Sequence, residues 1–169
     1  RGTLFFHVMR IVRAKRPAFV VLENVPGLAQ HDGGRTLRVI QTCLRSEGYA
    51  TEAMVATCSD YGLPQRRRRL LMVASRLRSH GRILRFDKYR RDVTLSEFFG
   101  RRFDREHAHT IRCGGRRAGL RDRHNWDAYL VDGREYHLTP SDALALQGYD
   151  RDYVLVGSAT EQWRMLGNT

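Results

Sequence analysis

The segment that decides the fold of this chain is Phe19-Val20-Val21-Leu22-Glu23-Asn24-Val25-Pro26-Gly27. Its apolar run, bounded by turn-forming residues, predicts a buried strand of a parallel sheet. In open α/β sheets, ligands bind outside the carboxyl ends of such strands. Glu23 ends the apolar run and is therefore a candidate catalytic carboxylate. A charged residue at an ordinary strand end would give the same local pattern.

A run of arginines provides the second signal. Gln65-Arg66-Arg67-Arg68-Arg69 leads directly into the apolar segment Leu70-Leu71-Met72-Val73-Ala74. Strand side chains alternate, so Gln65, Arg67 and Arg69 are predicted to share one face. The arginine fork of N–H donors suits phosphate oxygens, carboxylates and base edges. A solvated basic patch is the alternative for the run alone, but its fusion to a strand favours a structured site.

The remaining periodicity predicts an α/β chain. Apolar residues recur at helical spacing over residues 4–15 and 34–47, and Gly48 is the expected left-handed cap of the second helix. Residues 49–58 and 69–75 are predicted to pair as a hairpin. Helix, strand, helix, strand and strand in this order are typical of the second half of a doubly wound domain.

After about residue 76 the composition becomes irregular and basic. Thr94 with Glu97 predicts the capping box of a short helix. Residues 110–132 are rich in Gly, Arg, His, Asn and Asp. Arg and Asn are chemically suited to reading base edges, with phosphate contact or a plain surface loop as the alternative. Thr139 is predicted to cap a helix that has Pro140 at its first position and Gly148 beyond its end.

The charge and the cysteines narrow the class of protein. The chain has 30 Lys and Arg residues against 18 Asp and Glu, a net charge of +12. This excess indicates a nucleic-acid partner, with a basic surface kept for solubility as the alternative.

Cys43, Cys58 and Cys113 show no paired spacing, which favours a reducing, cytoplasmic compartment. No zinc-site spacing is found, so no metal is expected. Trp126 is expected in a core, and no stretch is long enough to span a membrane.

Together these motifs resemble the cytosine-C5 DNA methyltransferases. The matching segments, in order, are Arg1-Gly2-Thr3-Leu4-Phe5-Phe6, Glu23-Asn24-Val25, His31-Asp32-Gly33-Gly34, Asp60-Tyr61-Gly62-Leu63-Pro64-Gln65-Arg66-Arg67-Arg68-Arg69, Leu138-Thr139-Pro140, Leu146-Gln147-Gly148-Tyr149 and Gly167-Asn168-Thr169. The resemblance implies the second half of a Rossmann-like methyltransferase domain with a small inserted target recognition domain. The expected divisions are 1–75 for the catalytic domain, 76–136 for the recognition region and 137–169 for the return to the catalytic domain.

The resemblance also implies a reaction. A cytosine flipped out of a specific site in double-stranded DNA would receive at C5 the methyl group of S-adenosylmethionine. Glu23 would act at N3 as general acid, and Asn24 would position the backbone around it. Arg69 would hold O2 of the cytosine, and Arg67 would contact the Glu23 loop or the phosphate of the flipped nucleotide.

Further site residues follow from the same resemblance. The residues expected to bind DNA are Gln65, Arg112, Arg116, Arg117 and Arg123. Those expected to contact the cofactor are Asn168 and Thr169. Two departures from the family pattern fall near the Thr139 helix, where Ala145 stands in place of an arginine and Asp150 in place of a proline. The missing arginine weakens the expected bracing of the recognition domain by this helix.

The family's nucleophile, a cysteine in a Pro-Cys loop, and its Gly-rich cofactor turn would precede residue 1. The three cysteines present do not follow a proline. We therefore expect an internal piece of a longer restriction-modification methyltransferase, inactive alone and associated with the nucleoid. The alternatives are a split enzyme whose N-terminal half is a separate chain, a tRNA cytosine methyltransferase, and a non-catalytic basic DNA-binding protein that retains half of the fold.

Overall fold

A computed structural model describes residues 4–77, 91–113, 119–150 and 152–168. These residues form two compact units. The first unit contains residues 4–56 and 68–77, and the second unit contains the other described residues. Most of the basic segment expected to be irregular, together with Arg116, Arg117 and Thr169, lies outside the described residues. The recognition-region boundaries at 76 and 136 stay a prediction.

The first unit is built from alternating helices and strands. Its elements are α1 (Leu4–Lys15), β1 (Phe19–Asn24), α2 (Arg35–Ser46), β2 (Ala50–Thr57, whose last residue belongs to the second unit) and β3 (Arg68–Ser75). The strands form one sheet in the order β1-β3-β2, so the expected adjacency of β2 and β3 is confirmed. Both predicted helices are present. Gly48, at φ +83°, has the left-handed conformation expected beyond α2.

The surroundings of β1 differ from the prediction. Its partner is β3, and the two strands run antiparallel, with Val21 opposite Val73. Val20 is buried against the helices, but Val21 on the other face is 66% exposed. The expectation of a strand buried on both faces within a parallel sheet is therefore wrong for the described residues. Successive side chains of a strand point to opposite faces, and α1 and α2 contribute to the core of one face only.

The connection from β1 to α2 depends on glycine. It contains a 3-10 turn over Pro26–Ala29, and then Asp32, Gly33 and Gly34 have φ of 51°, 58° and 80°. These left-handed values disfavour residues with a Cβ. A Cβ on Gly34 would also lie 3.0 Å from the guanidinium of Arg38. The loop that follows Glu23 therefore has a defined path.

The second unit contains short helices and one hairpin. Its elements are α3 (Leu95–Phe99), β4 (Ala128–Val131), β5 (Arg134–His137), α4 (Pro140–Leu146) and α5 (Ala159–Asn168). Thr94 with Glu97 and Thr139 with Asp142 form complete capping boxes, as predicted. Asp132 and Gly133, at φ of 51° and 79°, form the tight turn between β4 and β5.

A separate hydrophobic core holds the second unit together. Trp126 belongs to this core, which confirms its predicted role, and its ring lies 5.1 Å from that of Trp163. Gly167 packs directly against the backbone of Arg112 and Cys113, where a Cβ would overlap both. The other fully buried large side chains of this core are Leu95, Ile111, Tyr129, Val131, Leu138, Leu146 and Leu166.

Candidate active site

The carboxylate predicted at the end of β1 forms an ion pair with an arginine of β3. Glu23 Oε1 lies 2.5 Å from Arg69 Nε. Glu23 stands opposite Leu71 in the antiparallel register, so Arg69 is its diagonal neighbour on the same face. The Arg69 guanidinium also donates to the carbonyl of Arg68 at 3.0 Å. The side chains of Glu23 and Arg69 are 54% and 22% exposed, so a ligand can reach the pair.

Asn24 shapes the turn beside this pair. Its Oδ1 accepts a hydrogen bond from the backbone N–H of Val25 at 2.9 Å, just before Pro26. A side chain that satisfies the next backbone N–H stabilises a turn. This contact is consistent with the predicted role of Asn24 in positioning the backbone around Glu23.

A cavity of about 340 Å³ opens at the same strand end within the first unit. Glu23 and Asn24 contribute polar groups to it, and Leu4, Phe5 and Leu22 contribute apolar surface. An apolar cleft with a few convergent polar groups, in this range of volume, is typical of a small-ligand site. Glu23 thus lines this cleft, and Arg69 lies beside it through its ion pair with Glu23.

The start of the arginine run alternates in burial as its strand pattern predicts. Gln65 is 0% exposed and Arg67 is 4% exposed, whereas Arg66 and Arg68 are exposed. The side-chain amide of Gln65 makes no hydrogen bond among the described residues. In this conformation the side chain of Gln65 does not reach the surface. The proposed roles of Gln65 and Arg67 stay predictions.

Backbone pairing attaches this segment to a second one in the second unit. Arg66 N donates to the carbonyl of Ala108 at 2.8 Å, and Ala108 N donates to the carbonyl of Pro64 at the same distance. The Thr110 hydroxyl donates to the carbonyl of Arg66 at 3.0 Å. Residues 64–66 and 108–110 therefore run side by side.

The charges of three arginines act on His109 in this arrangement. Burial lowers the pKa of His109 below its ordinary value, and the charges of Arg105, Arg66 and Arg112 lower it further. The backbone N–H of His109 donates to the hydroxyl of Tyr129 at 3.0 Å. Of the three arginines, only Arg112 is predicted from the sequence to bind DNA. The pairing of separate segments brings Arg66 and His109 together, and no local pattern signals it.

The other predicted DNA-binding residues divide by location. Arg112 and Arg123 are exposed in the second unit. Arg116 and Arg117 lie outside the described residues. Exposure permits the proposed contacts of Arg112 and Arg123, which stay predictions.

The cofactor implied by the resemblance is S-adenosylmethionine. Asn168 Oδ1 accepts a hydrogen bond from the Cys113 thiol at 2.8 Å, so this oxygen already has a partner within the chain. Thr169 is not among the described residues. The contacts of Asn168 and Thr169 with this cofactor stay a prediction.

Two negative findings apply to the described part of the chain. It contains no group of three or more His, Cys, Asp or Glu side chains arranged to hold a metal ion. Three of its histidines pair with a carboxylate instead: His107 with Asp92 at 2.8 Å, His137 with Asp127 at 3.0 Å and His124 with Asp122 at 3.5 Å. No helix within residues 4–77, 91–113, 119–150 and 152–168 is long and apolar enough to cross a bilayer.

A comparison with protein families identifies the class of this chain. The model of the C-5 cytosine-specific DNA methylases matches residues 1–108, which include Glu23, Asn24, Arg67 and Arg69. The chain belongs to the C-5 cytosine-specific DNA methylase family.

Similar curated proteins are type II methyltransferases. The methyltransferase M.HhaI of Haemophilus parahaemolyticus is 46% identical over 76 residues, which cover 45% of this chain and 23% of that protein. M.DsaV of Dactylococcopsis salina is 28% identical across all of this chain and 58% of its own length. M.NlaX of Neisseria lactamica is 30% identical across all of this chain and 64% of its own length. The chain thus spans less than two thirds of these relatives.

Solved structures show the same fold. The Entamoeba histolytica methyltransferase EhMeth superposes with a TM-score of 0.67 at 14% identity, over 99% of this chain and 64% of that one. The Spodoptera frugiperda DNMT2 mutant E260A/E261A/K263A superposes with a TM-score of 0.69 at 13% identity, over 98% and 66%. These similarities confirm the expected α/β, Rossmann-like methyltransferase fold.

Proposed function

We propose that this chain is part of a DNA cytosine-5 methyltransferase of the restriction-modification type. In this proposal, the methyl group of S-adenosylmethionine is transferred to C5 of a cytosine flipped out of a specific site in double-stranded DNA. The observation that carries the proposal is the contact between Glu23 and Arg69 within the part of the chain that the family matches.

The geometry suits one edge of a cytosine. Carbon C5 accepts a methyl group readily only after a nucleophile has bonded to C6, and negative charge then develops toward N3. Glu23 would donate a proton to N3 and remove this charge. Arg69 would donate hydrogen bonds to the neighbouring O2. Because N3 and the exocyclic O2 are both bonded to C2 and lie on one edge of the base, a carboxyl and a guanidinium 2.5 Å apart can contact both together.

The remaining roles are assigned around this pair. Asn24 would hold the turn that carries Glu23, and Arg67 would contact that loop or the phosphate of the flipped nucleotide. The nucleophilic cysteine of the family has no counterpart among Cys43, Cys58 and Cys113, since none of them follows a proline. S-adenosylmethionine would supply the methyl group, with Asn168 and Thr169 as contacts.

The charge of the chain supports DNA as the substrate. A net charge of +12 favours a polyanion, and exposed arginines suit phosphate oxygens and base edges. The residues assigned to DNA contact are Gln65, Arg112, Arg116, Arg117 and Arg123. Association with the nucleoid would follow from this binding.

The proposal is tested by Glu23→Gln in the full-length protein that the gene encodes. Methyl transfer from labelled S-adenosylmethionine is measured in a single turnover at saturating duplex DNA, so that binding and product release do not affect the rate. We expect the rate to fall roughly 10²–10⁴-fold, because glutamine cannot donate a full proton. The dissociation constant for DNA should change little.

Glu47→Gln is the matched control. Glu47 is also ion-paired, with its Oε1 2.7 Å from Arg13 Nε, but it follows α2 and is not part of β1. This variant should retain the rate of the unmodified protein. A Glu23→Gln rate equal to that of the control would reduce Glu23 to an ordinary strand end. A protein that binds DNA but transfers no methyl group would favour the non-catalytic DNA-binding alternative.

A further inference from the structure

We propose that Arg66, Arg105, His109 and Arg112 of the second unit form a binding site for one phosphate group of the DNA backbone. The inference rests on the proposed function for the identity of the polyanion. It adds Arg66, Arg105 and His109 to the DNA-binding residues expected from the sequence.

The backbone around this site, called here the His109 cluster, is tied down from two sides. Residues 64–66 pair with residues 108–110 through two backbone hydrogen bonds of 2.8 Å and the hydroxyl of Thr110. On the other side, Tyr129 accepts the N–H of His109 and donates to the carbonyl of Trp126 at 3.1 Å. A phosphate contact on this framework would be positioned by paired backbone rather than by a loop tip.

The cluster carries a positive charge that its neighbours do not balance. Arg66, Arg105 and Arg112 are exposed, and no ion pair joins them to another described residue. The acidic group that acts on His109 is Asp104, whose Oδ1 already accepts the backbone N–H of Leu130 at 3.1 Å. Like charges held close together repel one another, so an anion bound among them is stabilised.

The chemistry of these groups favours a phosphate. Guanidinium groups donate paired N–H bonds to phosphate oxygens, and exposed arginines contact phosphate more often than bases. A neutral imidazole can donate one further hydrogen bond. Burial and the charges of Arg105, Arg66 and Arg112 hold the pKa of His109 below its ordinary value, and Asp104 opposes this weakly. A bound phosphate adds negative charge and would raise that pKa, so DNA and a proton should bind together.

The first test measures the salt dependence of DNA binding by the full-length protein. The double variant Arg66→Gln/Arg112→Gln is compared with Arg10→Gln/Arg45→Gln, which removes the same charge from exposed positions of α1 and α2. The dissociation constant for a mixed-sequence duplex is determined over a range of salt. Each lost phosphate contact should reduce the log–log slope by about 0.9, so the cluster variant should show a flatter slope than the control.

The second test uses pH. Affinity for the duplex should rise as pH falls below about 6.5, because the pKa of free His109 lies below that ordinary value and a bound phosphate would raise it. His109→Gln keeps a side-chain hydrogen-bond donor but cannot be protonated. The increase in DNA affinity that comes from protonation of His109 should therefore disappear in this variant.

The outcomes separate the two proposals. If the cluster and control variants show equal slopes and His109→Gln keeps the full pH response, the phosphate site is wrong while the proposed function stands, provided the unmodified protein binds and methylates DNA. If the unmodified protein does not bind duplex DNA at all, both proposals fail.

Discussion

One polar contact in each unit can be compared, because the two lie in opposite environments. In the first unit, the Glu23–Arg69 ion pair lies at an exposed strand end. In the second unit, the hydroxyl of Tyr129 is fully buried and makes two hydrogen bonds, and burial raises its pKa to about 12. An exposed ion pair contributes little to stability, whereas a buried hydrogen-bonding group left unsatisfied is costly. An exposed pair such as Glu23 and Arg69 is free to take part in a reaction. A buried, hydrogen-bonded group such as the Tyr129 hydroxyl stabilises the fold.

Tryptophan fluorescence can measure this difference. The chain contains two tryptophans, Trp126 and Trp163, and both lie in the second unit, with their rings 5.1 Å apart. Their emission therefore reports the unfolding of the second unit. A far-UV circular dichroism signal reports helices and strands of both units.

The largest loss of stability is expected for Tyr129→Phe. The substitution leaves the N–H of His109 and the carbonyl of Trp126 without this partner in a buried environment, which costs about 1–3 kcal/mol. Urea unfolding followed by tryptophan fluorescence measures the change. Tyr153→Phe is the control, because Tyr153 is 53% exposed. Equal midpoints for the two variants would contradict the contrast drawn between buried and exposed polar groups.

A smaller loss, about 1 kcal/mol, is expected for Thr139→Ala. The hydroxyl of Thr139 accepts the N–H of Asp142 at 3.2 Å and starts α4. Alanine leaves that N–H without its cap. Ser141→Ala, in the first turn of the same helix and exposed, should change the free energy of unfolding by a few tenths of a kcal/mol at most. A larger effect at Ser141 than at Thr139 would disprove the assigned cap.

The smallest change in stability is expected for Arg69→Gln. Loss of an exposed ion pair should cost at most about 1 kcal/mol, measured by circular dichroism during urea unfolding. Methyl transfer by the full-length protein should nevertheless fall roughly 10²–10³-fold, because a donor to the reacting base is removed. If the variant is strongly destabilised but fully active, the ion pair serves the fold and not the chemistry.

Local features of the fold were predictable because local interactions produce them. The helices α1 and α2 follow from apolar spacing, and the capping boxes at Thr94 and Thr139 follow from residues three positions apart. The surroundings of β1 were not predictable in the same way. An apolar run such as Phe19–Leu22 has the same appearance whether one or both of its faces are covered, and only the packing of helices on the sheet decides this.

The sequence by itself determined the class of the protein, its basic charge and which two residues are proposed as the catalytic pair, since ordered motifs and composition are properties of the chain alone. Only the tertiary structure decided that Glu23 contacts Arg69, that Gln65 is buried, and that the charges of three arginines act on His109. These contacts join residues far apart in the chain. They depend on strand register and on the pairing of separate segments. Neither of these is specified by residues that are neighbours in the sequence.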